Sequence, residues 1–178
     1  MKIDGFTVWL TGLQGTGKRA ISDELARLLS LRHVPLEQFD IRTPGLEVFA
    51  SADPTEAGHR YERRLGVLAA ALNRHGTAVI VATMSPSRDM RDALRGEIPR
   101  FMEVYVKHRD PMAAGHQYEE PLQPDLEVTP AAELATAAAQ RIVKALESQG
   151  YIPRAGQAIA EEEEEQQIIK RLKDFGYM

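Results

Sequence analysis

Short continuous apolar runs alternate along the chain with longer stretches whose apolar residues recur every three or four positions. Phe6-Thr-Val-Trp-Leu10 is apolar, β-branched and aromatic throughout, the pattern of a strand covered on both faces. A glycine-rich turn, Gly12–Gly17, follows it. Ile21, Leu25, Leu28 and Leu29 then place a helical stripe on Lys18 to about Arg32. His33–Phe39 reads as a second, weaker strand, in which the early Pro35 disfavours a central ladder position. Asp40–Asp53 is predicted as loop. Leu65, Leu68 and Leu72 mark a helix from about Pro54 to His75, stopped by Gly76. Ala78-Val-Ile-Val-Ala82 is a third strand. Ser85-Pro86 opens a short helix to about Arg95, with Ser85 suited to the cap and Pro86 to the first helical position. Phe101–Val106 is a fourth strand, Lys107–Pro124 a loop, and Leu126–Val128 a short fifth strand. A long helix starts at Pro130 and ends near Gly150, with Ile142, Val143 and Leu146 apolar.

Strands separated by helices imply parallel pairing through right-handed crossovers, hence an α/β fold with a five-stranded parallel sheet flanked by helices in three layers. Residues 1–150 are predicted as this domain. Residues 151–178 change character: the acidic run Glu161–Glu165 precedes Ile168, Ile169, Leu172 and Phe175 at helical spacing. Two readings of this acidic helical tail stand, an amphipathic turn docked on the domain and a docking helix for a partner protein.

Composition narrows the class. The 178 residues suit one such domain with a short appendage, and 43% are apolar, enough for a packed core. The net charge of −4 gives no reason to expect nucleic acid or a membrane surface as partner. The absence of Cys excludes disulfides, thiolate metal sites and thiol catalysis. With no signal-like segment and no apolar stretch near the roughly 18 residues needed to span a bilayer, a cytoplasmic protein is expected. The five His show no ligand spacing, and His108 and His116 share a loop without a third ligand, so no metal site is predicted from them.

The chemistry begins in the first turn. Gly12-Leu13-Gln14-Gly15-Thr16-Gly17-Lys18 matches G-x-x-x-x-G-K, directly after a strand and opening a helix. Glycines let the backbone curl its N–H groups toward phosphate oxygens, the helix start adds partial positive charge, and Lys18 reaches the outer phosphates. The competing reading is a tight strand–helix turn with a surface lysine. The next residue in the full motif is Ser or Thr, whose hydroxyl coordinates Mg²⁺. Here it is Arg19, which has no acceptor. Its guanidinium either reaches the phosphates as a charge substitute for metal or points to solvent.

Gly5-Phe-Thr-Val-Trp-Leu-Thr-Gly-Leu-Gln-Gly-Thr-Gly-Lys18 resembles the opening segment of adenylylsulfate (APS) kinases. Val79-Ile-Val-Ala-Thr-Met-Ser-Pro-Ser-Arg88, Phe101-Met-Glu-Val-Tyr-Val106 and Pro121-Leu-Gln-Pro-Asp125 are similar to later segments of that family, in the same order. The resemblance implies a P-loop kinase fold, a homodimer, and phosphoryl transfer from ATP, with Mg²⁺, to the 3′-hydroxyl of adenosine 5′-phosphosulfate. It implies that Gly12–Arg19 hold the ATP phosphates and that Ser85, Pro86 and Arg88 lie beside the APS pocket. Ser85 matches the family's active-site phosphoserine position, and Arg42 its substrate-contacting arginine.

Three departures accompany the resemblance. Glu37-Gln-Phe-Asp-Ile-Arg42 stands where the family carries D-G-D-N-x-R, so Phe39 occupies the place of the second Asp. Asp40 comes one residue later, and a one-residue slip within a strand turns a side chain to the other face. Asp40 recovers the role only if it escapes that alternation. Asp53–Arg64 keeps Pro54 and the Arg63-Arg64 pair of the next family segment and lacks its D-R pair, leaving Arg60 or Arg64 as candidates for anionic substrate groups. Finally, Lys107–Glu120 keeps Arg109-Asp-Pro111 but not the basic lid that follows in the family. The expected catalytic set is therefore Lys18, Asp40 and Ser85. Two functions follow: an APS-kinase-family enzyme, or a nucleotide-binding regulatory or scaffolding module of a sulfate-activation complex with turnover impaired by Arg19, Phe39 and the short lid.

Overall fold

A computed structural model describes residues 4–40, 43, 54–108 (54–60 as backbone only), 118–129, 134–154 and 173. The elements are β1 (Thr7–Thr11), α1 (Lys18–Ser30), β2 (Leu36–Asp40), α2 (Pro54–Arg74), β3 (Ala78–Ala82), α3 (Arg88–Glu97), β4 (Phe101–Val106), β5 (Leu126–Val128) and α4 (Ala135–Ser148). The sheet runs β2-β3-β1-β4-β5, every pair parallel.

β1, β3 and β4 are buried along their whole length, as their unbroken apolar runs require. Strand alternation sorts them into two cores. Val8, Leu10, Ile80, Met102 and Val104 face α1 and α4, meeting Leu25, Leu29, Ile142 and Leu146. Trp9, Val79, Val81 and Phe101 face α2 and α3, meeting Leu65, Leu94 and Ile98.

The predicted boundaries shift where backbone geometry overrules composition. β2 begins at Leu36, later than expected, because His33 takes a left-handed φ of 56° and Pro35 precedes the ladder. β2 is an edge strand, where a nearby proline is tolerated. The cap of α3 is Ser87, whose Oγ accepts from Met90 N–H. Ser85, the expected cap, has φ 45° and a buried hydroxyl engaged elsewhere, so Pro86 is not a first helical residue. α4 starts at Ala135, and residues 130–133 of its predicted start lie outside the described residues. The first core extends past residue 150: Ile152 is buried in it, and the Tyr151 ring lies 5.7 Å from that of Phe6. Apart from Lys173, the tail from 155 onward lies outside the described residues. Among the described residues no helix is long and apolar enough to cross a membrane.

Candidate functional site

The phosphate loop joins the end of β1 to α1. Gly12 has φ 145°, and a Cβ there would lie 2.3 Å from the Val106 carbonyl oxygen, so only glycine fits beside β4. Gly17 caps α1 in the left-handed region at φ 87°. No side chain caps α1 and its first turn holds no acidic residue, so its leading N–H groups remain available to an anion. The Lys18 Nζ turns back over the loop and donates to the Gly12 and Leu13 carbonyls, each at 2.6 Å. Burial lowers its pKa to about 8, because the cation is taken from water into a shell of neutral carbonyls.

Loop residues Gln14–Lys18 line a cavity of about 870 Å³ together with Arg19, Asp23, Asp40, and the end of β3 at Ala82, Thr83 and Met84. Its size is that of a small-molecule site, and it opens at the carboxyl ends of parallel strands.

Asp40 is the last residue of β2. Phe39, its neighbour, packs into the core with Trp9 and Leu65, while the Asp40 side chain faces the cavity. Alternation thus turns the partly buried aromatic ring toward the core and delivers the next residue to the phosphate loop. Asp40 N–H donates to Thr43 Oγ1 at 3.0 Å, which turns the chain at the strand end. Burial raises the Asp40 pKa, opposed by Arg19 and reinforced by Asp23. Arg19 Nε lies 4.0 Å from Asp40 Oδ2 and 3.9 Å from Asp23 Oδ2. Lys18, Arg19 and Asp40 are therefore brought together.

The other predicted site residues lie elsewhere. Ser85 has no exposed surface: its Oγ accepts from Trp9 Nε1 at 2.8 Å and pairs with Thr83 Oγ1 at 2.6 Å. Its hydroxyl braces Thr83, which lines the cavity, and does not itself reach it. Pro86 accepts the Glu119 N–H through its carbonyl at 2.9 Å. Arg88 donates to the Glu120 carbonyl and borders a separate hollow with Arg95 and Asp125. Arg64 is exposed on α2. Arg42 and the lid segment from Arg109 to Gln117 lie outside the described residues.

A buried network absent from the sequence reading holds the region behind the site. Arg91 Nε donates to Glu103 Oε1 at 2.7 Å, with both side chains almost wholly buried. Arg91 also donates to the Ser85 and Glu119 carbonyls and lies over the Tyr118 ring. Tyr118 stacks on Tyr105, and its hydroxyl meets Thr11 Oγ1 at 2.9 Å. The available signal was Glu103, an acid inside an otherwise apolar strand, which requires a buried cation nearby.

The residues present do not fit a resident Mg²⁺. That ion demands octahedral oxygen ligands. Among the described residues there is no cluster of three or more acidic or His side chains able to hold a metal. Thr16 Oγ1 is committed to the Leu13 carbonyl, and the residue after Lys18 is a cation.

Known proteins resemble this chain in both sequence and fold. Residues 4–114 match the family model of adenylylsulphate kinase. An adenylyl-sulfate kinase of Gloeothece citriformis is 34% identical over 85% of this chain and 99% of its own length. A Mycobacterium tuberculosis APS kinase structure superposes with a TM-score of 0.69 at 28% identity, covering 82% of this chain and 99% of that one. A hexameric APS kinase from Thiobacillus denitrificans gives a TM-score of 0.71 at 27% identity, over 85% of this chain and 30% of that one. With sequence and fold in agreement, the chain belongs to the adenylylsulphate kinase family.

Proposed function

We propose that this protein transfers the γ-phosphoryl group of ATP to the 3′-hydroxyl of adenosine 5′-phosphosulfate, giving PAPS and ADP. The observation that carries the reading is the convergence of Lys18 and Asp40 on one cavity over the phosphate loop. In this reading the Gly12–Arg19 segment holds the ATP phosphates. Lys18 and Arg19 balance the charge that spreads over the phosphoryl oxygens in the transition state. Asp40 accepts the proton of the 3′-hydroxyl as its oxygen bonds to the γ-phosphorus, and the bond to the bridging oxygen breaks to release ADP. A carboxyl whose pKa is raised by burial is a better base than an exposed one. We assign Arg42 to the anionic groups of APS. Ser85 is assigned the positioning of Trp9 and Thr83 rather than a chemical step.

A coupled assay of ADP release from ATP and APS tests the reading. Turnover of about 1 s⁻¹ or more is expected. Asp40→Asn is expected to lower kcat by about 10²–10⁴ while leaving ATP affinity nearly unchanged. Its melting temperature is expected to hold or rise. A raised pKa makes the ionised carboxylate a cost to the fold as pH rises through the folded value, and the amide relieves that cost. Full activity in Asp40→Asn refutes the role of Asp40.

The Arg19 guanidinium beside Asp40 favours a second reading, a nucleotide-binding module without turnover. Binding of both nucleotides by calorimetry with no APS-dependent ADP release would establish it. We further propose that residues 1–150, with Tyr151 and Ile152 packed into their core, form the catalytic unit, that the rest of 151–178 is an appended segment, and that the protein is a homodimer. The hexameric Thiobacillus denitrificans relative supports oligomerisation, and light scattering at micromolar concentration tests it.

A further inference from the structure

We infer that the phosphate cavity takes a nucleoside triphosphate free of divalent metal, with the Arg19 guanidinium standing where other phosphate loops hold the cation. The inference rests on the nucleotide reading above and specifies the ionic form that binds.

Position comes first. Arg19 directly follows Lys18 in the first turn of α1 and lines the same cavity. That is the place from which a hydroxyl would hold Mg²⁺ against the outer phosphates. An arginine offers five donors and a permanent positive charge, and no lone pair for a metal. It can meet phosphate oxygens directly and bidentately.

Charge comes second. The carboxylates that face the cavity, Asp40 and Asp23, share Arg19 as cation at 4.0 and 3.9 Å. A divalent ion seeking those oxygens must first displace a guanidinium of like sign. Both distances are also long for a charge-assisted hydrogen bond, which closes at about 2.7–2.9 Å. The guanidinium is therefore loosely held, and with 59% of the side chain exposed it can turn toward a phosphate.

The oxygen supply comes third. Thr16 Oγ1 donates to the Leu13 carbonyl at 3.0 Å and receives Lys18 Nζ at 3.4 Å. Ser22, the next hydroxyl along α1, is fully buried and accepts from Gln38 Nε2 at 2.8 Å. Thr83 Oγ1 is engaged by Ser85. No hydroxyl of the described cavity wall replaces the one that the metal would need.

The test is calorimetric titration of ATP into the full chain, once with EDTA and once with millimolar MgCl₂, for the unmodified protein, Arg19→Ser and Arg19→Lys. The exposed side chain makes both substitutions compatible with folding, which thermal melts check. The unmodified protein is expected to bind ATP in EDTA as tightly as in Mg²⁺, within about threefold. Arg19→Ser is expected to lose about tenfold or more in EDTA and to recover when Mg²⁺ is added, while Arg19→Lys keeps most of the EDTA binding. Loss of tenfold or more on adding EDTA to the unmodified protein overturns the inference and leaves the nucleotide reading intact. Arg19→Ser binding in EDTA like the unmodified protein overturns it too. Absence of ATP binding in both solutions overturns the inference and the proposed function together.

Discussion

Raising the pH from 7 to 9 is expected to weaken ATP binding by deprotonating Lys18. The Nζ group is enclosed by the phosphate loop, and burial lowers its pKa to about 8, against an ordinary value of about 10.4. The difference corresponds to roughly 3 kcal/mol held against the charged form. A bound triphosphate surrounds the ammonium with anionic oxygens and moves its pKa back up, so binding takes up the missing proton. In the free protein the charged fraction is about nine-tenths at pH 7, one-half at pH 8 and one-tenth at pH 9. The apparent Kd for ATP is therefore expected to rise about twofold from pH 7 to 8 and about tenfold from pH 7 to 9. A phosphate monoester loses its second proton near pH 6, and guanidinium groups do not titrate in proteins. Neither contributes to this window. Calorimetry at pH 9 in two buffers of different ionisation enthalpy measures the uptake directly, and about 0.9 proton per ATP is expected. Lys18→Met is expected to bind more weakly at every pH and to show no such slope. The sign for folding is opposite to that for binding. With a folded pKa below the unfolded one, the unfolded chain holds more protons between about pH 8 and 10.4, so this group's contribution to stability improves across that range. A Kd that changes by less than about twofold between pH 7 and 9, or an equal slope in Lys18→Met, refutes the reasoning.

Four further outcomes follow from the phosphate loop and the packing behind it. Ser85→Ala leaves the buried Trp9 indole N–H without its acceptor and is expected to cost about 1–3 kcal/mol in urea denaturation. Mass spectrometry of protein incubated with ATP is expected to find no phosphate on Ser85, whose hydroxyl has no exposed surface, and a stoichiometric phosphoserine there refutes the structural role. Glu103→Gln removes the countercharge of buried Arg91 and is expected to destabilise the fold by about 3 kcal/mol, with an unchanged melting curve as the refuting result. Gly12→Ala combines a φ of 145° with a 2.3 Å approach to the Val106 carbonyl. It is expected to cost at least about 2 kcal/mol and to abolish ATP binding by calorimetry.

The sheet was legible because its central strands are buried on both faces, which writes them as apolar runs; Ala78–Ala82 and Phe101–Val106 agree with prediction to the residue. The ends were less legible because backbone conformation, not hydrophobicity, sets them. Ser85 has the composition of a helix cap, yet φ 45° and the Trp9 indole take its hydroxyl inward, and Ser87 two residues later caps the helix. Asp40 shows the reverse. The alternation of side chains along a strand made its one-residue offset look like a displacement to the wrong face. In the structure that same alternation sends Phe39 to the core and Asp40 to the cavity. The Arg91–Glu103 pair escaped notice because its partners are twelve positions apart in sequence, on a helix and a strand, and only the packed fold joins them.

The clamp around Tyr118 separates the architecture of the fold from the length of the segment that precedes it. On one side β4 is pinned where Lys107 N–H meets the Val128 carbonyl. On the other, Tyr118 and Glu119 are fastened to Tyr105, Thr11, Pro86 and Arg91. Between two such posts the number of residues becomes nearly a free variable, since closure entropy grows slowly with length, by about 0.6 kcal/mol per doubling. Insertions or deletions between residues 108 and 118 can therefore be accommodated without renegotiating the sheet. The same reasoning makes that span the natural place to graft a longer basic segment and measure its effect on turnover.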